Sequence, residues 1–167
     1  MIGARLRVPH VASPAPLQGA SPVGPDRSRG GAASEHAPTA SGAAVGGVRT
    51  LLRLEGAALL AGALVAYAQV GAGWGAFALL FLVPDVSLLG YLAGPRIGAA
   101  LYNAAHAHFG PAMLIALGAL VAQPVALALG LIWTAHIGFD RLLGYGLKYG
   151  SGFGATHLGR LGPRDAW

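Results

Sequence analysis

LLRLEGAALLAGALVAYAQV (51–70), WGAFALLFLVPDVSLLGYL (74–92), IGAALYNAAHAHFGPAMLIALG (97–118) and VAQPVALALGLIWTAHIGF (121–139) follow one another with only short turns between them. A helix needs ~20 mostly apolar residues, each rising ~1.5 Å, to cross the hydrocarbon of a bilayer. The run from Leu51 to Phe139 has room for four such crossings. Gly71–Gly73 marks the end of the first and Gly94-Pro95 the end of the second. Pro124 falls in the first turn of the fourth, where a backbone N–H has no partner in any case. Gly110-Pro111 predicts a kink inside the third. The expected fold is all-α, a four-helix transmembrane bundle. The third segment is its weakest span, because it carries Asn103, His106 and His108, and a partly re-entrant course is the alternative.

Charge gives the bundle a direction. Arg49 and Arg53 stand at the start of the first segment, Arg96 in the turn between the second and third, and Arg141, Lys148, Arg160 and Arg164 after the fourth. The turns after the first and third segments carry no Lys or Arg. An even number of spans puts both termini and the basic middle turn on one side, and the positive-inside rule makes that side the cytoplasm. A multi-pass membrane protein is expected. Trp74 then marks the outer interface, and Tyr91, Tyr145 and Tyr149 the inner one.

Composition agrees. The 167 residues are 54% hydrophobic and only 10% charged, where soluble domains are about a quarter charged. The sequence pI near 10.2 calls for no nucleic-acid partner, since topology-setting basic residues account for it. The expected partner is the lipid bilayer, with a protein partner or a homo-oligomer left open. The absence of cysteine excludes disulfides, thiolate metal sites and thiol catalysis.

Three regions are expected: 1–48, 49–140 and 141–167. Residues 1–48 are rich in Pro, Gly, Ala and Ser without apolar periodicity, which predicts a disordered N-terminal tail. Arg5 and Arg7 could open a signal peptide, but Pro9, Pro14 and Pro16 interrupt any apolar core. Residues 49–140 are the bundle. Residues 141–167 form a Gly/Tyr/basic cytoplasmic segment, whose order would be explained if it folds back beneath the bundle.

Ionisable groups inside a span cost free energy, so they face the bundle interior and mark candidate sites. Glu55, Asp85, Asn103, His106, His136 and Asp140 all fall between the mid-plane and the cytoplasmic surface on the expected topology. Asn103 and His106 are i, i+3, and His136 and Asp140 are i, i+4, so each pair shares a helix face. Asp140 is placed to accept the ring N–H of His136. Glu55, Ala58, Gly62, Ala66 and Gln69 form a stripe on the first span that would let a neighbour approach closely. Pro84 should bend its helix beside Asp85. His108 points to another face.

This layer reads as a binding or proton-handling site. In a second reading Asp85, His106, His136 and Asp140 ligate a divalent metal of a hydrolase acting at the cytoplasmic leaflet, with Glu55 as general base. A third reading is a hydrogen-bonded network that fixes helix register, or a structural subunit of a larger membrane complex. A haem held by His106 and His136 is disfavoured, because His106 is expected several residues nearer mid-plane. Arg141, Lys148, His157 and Arg160 are candidate contacts to lipid head groups. GSGFG (150–154) is a weak phosphate-loop signal, lacking a Gly-Lys-Ser/Thr ending.

The blocks RLEGAALL, FLVPDVSLLGYLAGPRIGAALYNAAHAHFGP and WTAHIGFDRLLGYGLKYGSGFGATHLGRLG, in that order, resemble a bacterial integral-membrane family catalogued as domain of unknown function 4260. The resemblance covers about Arg53 to Gly162. It implies a multi-pass protein of the bacterial inner membrane and no particular activity. Pro84-Asp85 with membrane-embedded histidines is also similar to membrane-bound metal-dependent hydrolases.

Overall fold

The structure, a computed structural model, describes residues 42–162. The tail expected to be disordered therefore lies outside the described residues up to residue 41, as does Arg164. The remainder of that tail is tied down. The Ala44 N–H donates to the His157 carbonyl at 2.7 Å, and the Tyr149 hydroxyl to the Gly42 carbonyl at 3.1 Å. Helix α1 then spans Gly46–Val70, starting earlier than the apolar run from Leu51 suggested.

Helix α2, Trp74–Phe81, passes into a 3₁₀ helix over Val83–Ala93. Pro84 explains the change, because its ring has no N–H and collides with the carbonyl four residues back in an α-helix. Gly94 then takes φ 107°, ψ 162°, a conformation open essentially to glycine alone, and Pro95 starts α3, Pro95–His106. The third expected span is not continuous. The chain extends at Ala107 and restarts as α4, Phe109–Leu120. The break lies before Gly110-Pro111 rather than at it. Pro111 excludes an α-helical hydrogen bond to Ala107, so it is accepted in the first turn of a new helix and not within the old one.

Helix α5, Pro124–Leu143, opens with its proline at the first position. It closes on Gly144 at φ 96°, with Tyr145 N–H bonded to the Asp140 carbonyl and Gly144 N–H to the Arg141 carbonyl. This is a Schellman cap. Arg53 Nε donates to another end carbonyl, that of Leu142, at 2.8 Å. After the cap comes a small hairpin, β1 (Ala155–Thr156) paired antiparallel with β2 (Gly159–Arg160).

Among the described residues helix α5 is the central element, packed by α1, α2 and α4, while α3 packs on the 3₁₀ helix. The α1–α5 approach is backbone to backbone. A Cβ on Gly138 would lie 2.7 Å from the Leu60 nitrogen, and one on Gly56 would lie 2.5 Å from the Arg141 Cβ. The small-residue stripe through Glu55 and Gly62 is not the contact. Gly56, Ala63 and Tyr67 are buried instead, and Gly62 has open space beside it.

Three helical stretches are long and apolar enough to cross a membrane: Gly46–Val70, Trp74–Ala93 and Pro124–Leu143. The α3–α4 pair consists of two helices of 12 residues, each about 18 Å long at ~1.5 Å per residue. Charge separates along the bundle. The uncharged turns around Gly71 and Pro124 line one groove, whereas Arg49 lies against Gly144 and Gly159, and Arg96 against Gly150, at the other end.

Candidate metal centre

Asp85, His106, His136 and Asp140 meet at the basic end of the bundle. Each offers one ligand atom, and all four atoms lie within 4.8 Å of one another. The elements explain why. Asp85 is the residue after Pro84, in the first turn of the 3₁₀ helix. His106 is the last residue of α3, where the chain must break. His136 and Asp140 are one turn apart on α5, and the Schellman cap holds the Asp140 carbonyl.

His106 Nε2 and His136 Nε2 are 3.1 Å apart. Asp85 Oδ1 is 3.6 Å from each of them, and Asp140 Oδ2 is 3.5 Å from His106 Nε2 and 4.0 Å from His136 Nε2. The histidines are buried, Asp140 is nearly so, and the Asp85 side chain is 38% exposed. The centre therefore opens on the Asp85 side.

The tautomer of His106 follows from its partner. Its Nδ1 lies 2.9 Å from the Tyr102 carbonyl, which can only accept. Nδ1 thus carries the proton, and in the neutral ring Nε2 presents a lone pair to His136. Two imidazole nitrogens at this distance need a hydrogen or a cation between them: His136 donates from Nε2–H as the neutral tautomer, or both lone pairs face a metal ion. The residues fit a metal. Tetrahedral zinc bonds of ~2.0–2.1 Å imply ligand-to-ligand edges of about 3.3–3.4 Å, and the five separations that involve an imidazole nitrogen, 3.1–4.0 Å, bracket that value. The donor set of two imidazoles and two carboxylates suits zinc, manganese or iron.

The supporting contacts are of the kind that orient metal ligands. Tyr102 donates its hydroxyl to Asp140 Oδ2 at 2.8 Å and stacks its ring on His106 with centroids 3.7 Å apart. Phe81 meets the His136 ring edge-on at 5.2 Å. His136 Nδ1 is buried without a partner. The expected hydrogen bond between His136 and Asp140 does not form, since 4.0 Å is too long and Tyr102 holds that oxygen. Tyr102 was legible as a candidate, being one turn before His106 on α3, but an aromatic residue in an apolar helix gave no charge signal.

The other expected site residues separate from this group. Glu55 is exposed on α1, lining a shallow groove with Ala58, Gly62 and Thr134. This removes it as a general base at the centre. Asn103 clamps the chain instead, donating to the Lys148 carbonyl at 2.8 Å and accepting the Lys148 N–H at 2.7 Å. His108 is exposed. The two imidazoles meet at one height, against expectation, and their 3.1 Å separation leaves no room for a porphyrin between them.

Three of the four expected head-group contacts turn inward. Arg141 is buried, with its guanidinium against the His157 ring at 3.0 Å and 3.4 Å from the His106 carbonyl. Lys148 is buried, donating to the Phe153 carbonyl at 3.1 Å, with its ammonium 3.7 Å from the Phe153 ring centroid and 4.6 Å from that of Tyr102. Burial pushes the Lys148 ammonium below its usual pKa, against the opposing pull of Asp140 and Asp85. His157 is half-buried and accepts the Leu147 N–H at Nδ1. Burial, then the Arg141 charge, lower its pKa. Arg160 is exposed. The segment after α5 is thus a folded cap under the centre.

Residues 49–161 match the family described as Domain of unknown function (DUF4260), and the chain belongs to that family. The match spans the whole centre and its cap. No curated protein and no solved structure matches the chain.

Proposed function

We propose that this DUF4260 protein is a multi-pass membrane protein that binds a divalent transition metal through Asp85, His106, His136 and Asp140 and uses it for hydrolysis at the cytoplasmic leaflet. The observation that carries the reading is the convergence of four ligand atoms within 4.8 Å around two facing imidazole nitrogens. Membrane character is supported by the three long apolar stretches and by large apolar side chains on the outside, such as Leu79, Leu92 and Leu120. In this reading α3 and α4 together make a fourth crossing, broken at Ala107 where neighbouring helices shield the backbone. The collected arginines at one end make that end cytoplasmic.

His106, His136 and Asp140 are the buried ligands. Asp85, on the open side, would be the fourth ligand through Oδ1, leaving Oδ2 to take a proton. A bound metal supplies a Lewis acid and acidifies a water. Hydrolysis of an ester there would bond the water oxygen to the carbonyl carbon or phosphorus and break that atom's bond to the alcohol oxygen, with Asp85 Oδ2 taking the water's proton and returning it to the departing alcohol. Metal analysis of protein purified in mild detergent tests the proposal. About one divalent ion per chain is expected, lost in His136→Ala.

The 3.1 Å contact between the imidazoles also favours a second reading, a proton-sharing pair. Absence of metal from every preparation, together with failure to take up zinc, manganese or iron, would favour it.

A further inference from the structure

We infer that the apolar groove beside the centre takes the acyl chain of a membrane amphiphile whose polar head reaches the metal ligands. The inference rests on the proposed function and names its substrate class.

The groove has a volume of about 360 Å³ and lies between the 3₁₀ helix, α3, α4 and α5. Its walls adjoin three of the four ligands in the chain. Pro84 and Ser87 flank Asp85, Ala105 precedes His106, and Ile132 lies one turn before His136. The volume falls within the range of small-molecule sites. The lining is almost wholly carbon, so a polar soluble ligand would bury groups without partners there. An alkyl chain would not.

Two polar atoms in the wall refine the fit. The Trp133 indole N–H is already used, donating to the Ala105 carbonyl at 2.6 Å. The Ser87 hydroxyl is buried with no partner, although it borders this space. It can donate to one acceptor, as an ester or carboxylate near the head of a chain would provide. Val83, 53% exposed, stands at the rim on the outer surface. Entry is therefore sideways from the bilayer, with the chain in the groove and the head toward Asp85.

Trp133 gives the test, in full-length protein carrying Trp74→Phe and Trp167→Phe so that it is the sole indole. The detergent-solubilised protein, after incubation with zinc and measurement of its metal content, is titrated with dibromostearate, whose bromines quench an indole in contact and whose carboxylate stands for the head. Saturable quenching is expected. Filling the groove with Ala105→Phe should weaken it by about tenfold, the effect of ~1.4 kcal/mol of overpacking. Val83→Phe at the rim provides a second obstruction should Ala105→Phe fail to elute as a monodisperse species. Chelation, or His136→Ala, should also weaken it. Quenching that grows linearly with brominated-chain content, or that neither obstruction changes, overturns the inference. Saturable quenching that responds to the obstructions but not to chelation, in protein that binds no metal, supports the groove as a chain site and ends the metal reading.

Discussion

The hydroxyl of Tyr102 reaches from α3 to α5 and donates to Asp140 Oδ2 at 2.8 Å, while its ring lies flat on His106. One side chain thus orients a carboxylate and an imidazole that belong to different helices. Its own backbone carbonyl fixes the His106 tautomer. Tyr102→Phe keeps the stacked ring and removes only the hydroxyl. Loss of a partner of this kind lowers metal affinity ~10–100-fold, and competition with a chromophoric chelator would read it. An unchanged affinity would mean that Tyr102 does not orient Asp140.

The meeting of α1 and α5 has no room for a methyl group at Gly138, where a Cβ would lie 2.7 Å from a backbone nitrogen. Gly138→Ala should destabilise the bundle by about 1–3 kcal/mol. Gly62→Ala, which meets open space, should leave stability unchanged or slightly higher. Thermal unfolding in detergent compares the two. Equal melting temperatures would contradict this packing.

Helix α4 ends with a Schellman-type bond from Gln123 N–H to the Gly118 carbonyl at 2.8 Å, and the left-handed position is filled by Ala122 at φ 50°. Glycine is the ordinary residue there. Ala122→Gly should stabilise the fold by up to about 1 kcal/mol, seen as a raised unfolding midpoint. A lowered midpoint would place the turn in another conformation.

The cap under the centre should loosen in acid. His157 titrates below its unfolded value of 6.5 because it is buried and faces the Arg141 guanidinium. A group with a depressed folded pKa binds protons better when unfolded, so stability is complete above 6.5 and is lost as pH falls toward the folded value. Protection factors of residues 144–160, that is, exchange corrected for its slower intrinsic rate in acid, should fall below 6.5, and His157→Gln should reduce that dependence. Protection that increases on acidification would contradict the assignment.

Much of this was written in one dimension. The first, second and fourth apolar runs, the Gly94-Pro95 break and Pro124 at the start of α5 are local signals that carry into the structure, and Asp85, His106, His136 and Asp140 come together in it. Other features depend on neighbours. Glu55 has the same depth as the ligands, but depth does not fix rotation, and α1 turns Gly56 rather than Glu55 toward α5. Lys148 and Arg141 read as head-group contacts because charge at a membrane border usually faces water. Here Phe153, Tyr102 and His157 offer them π faces and acceptors inside the cap. The break at Ala107 was displaced from the expected kink, because proline acts on the carbonyl four residues before it.

X-ray absorption at the metal edge, on wild-type protein loaded with zinc in detergent, decides whether Asp85, His106, His136 and Asp140 form a metal centre. The expected spectrum has a first shell of nitrogen and oxygen at ~2.0–2.2 Å, with the outer-shell scattering of two imidazoles, reduced to one imidazole in His106→Ala. A shell of oxygens without imidazole scattering, or a spectrum unchanged in His106→Ala, would show that the metal does not bind between His106 and His136.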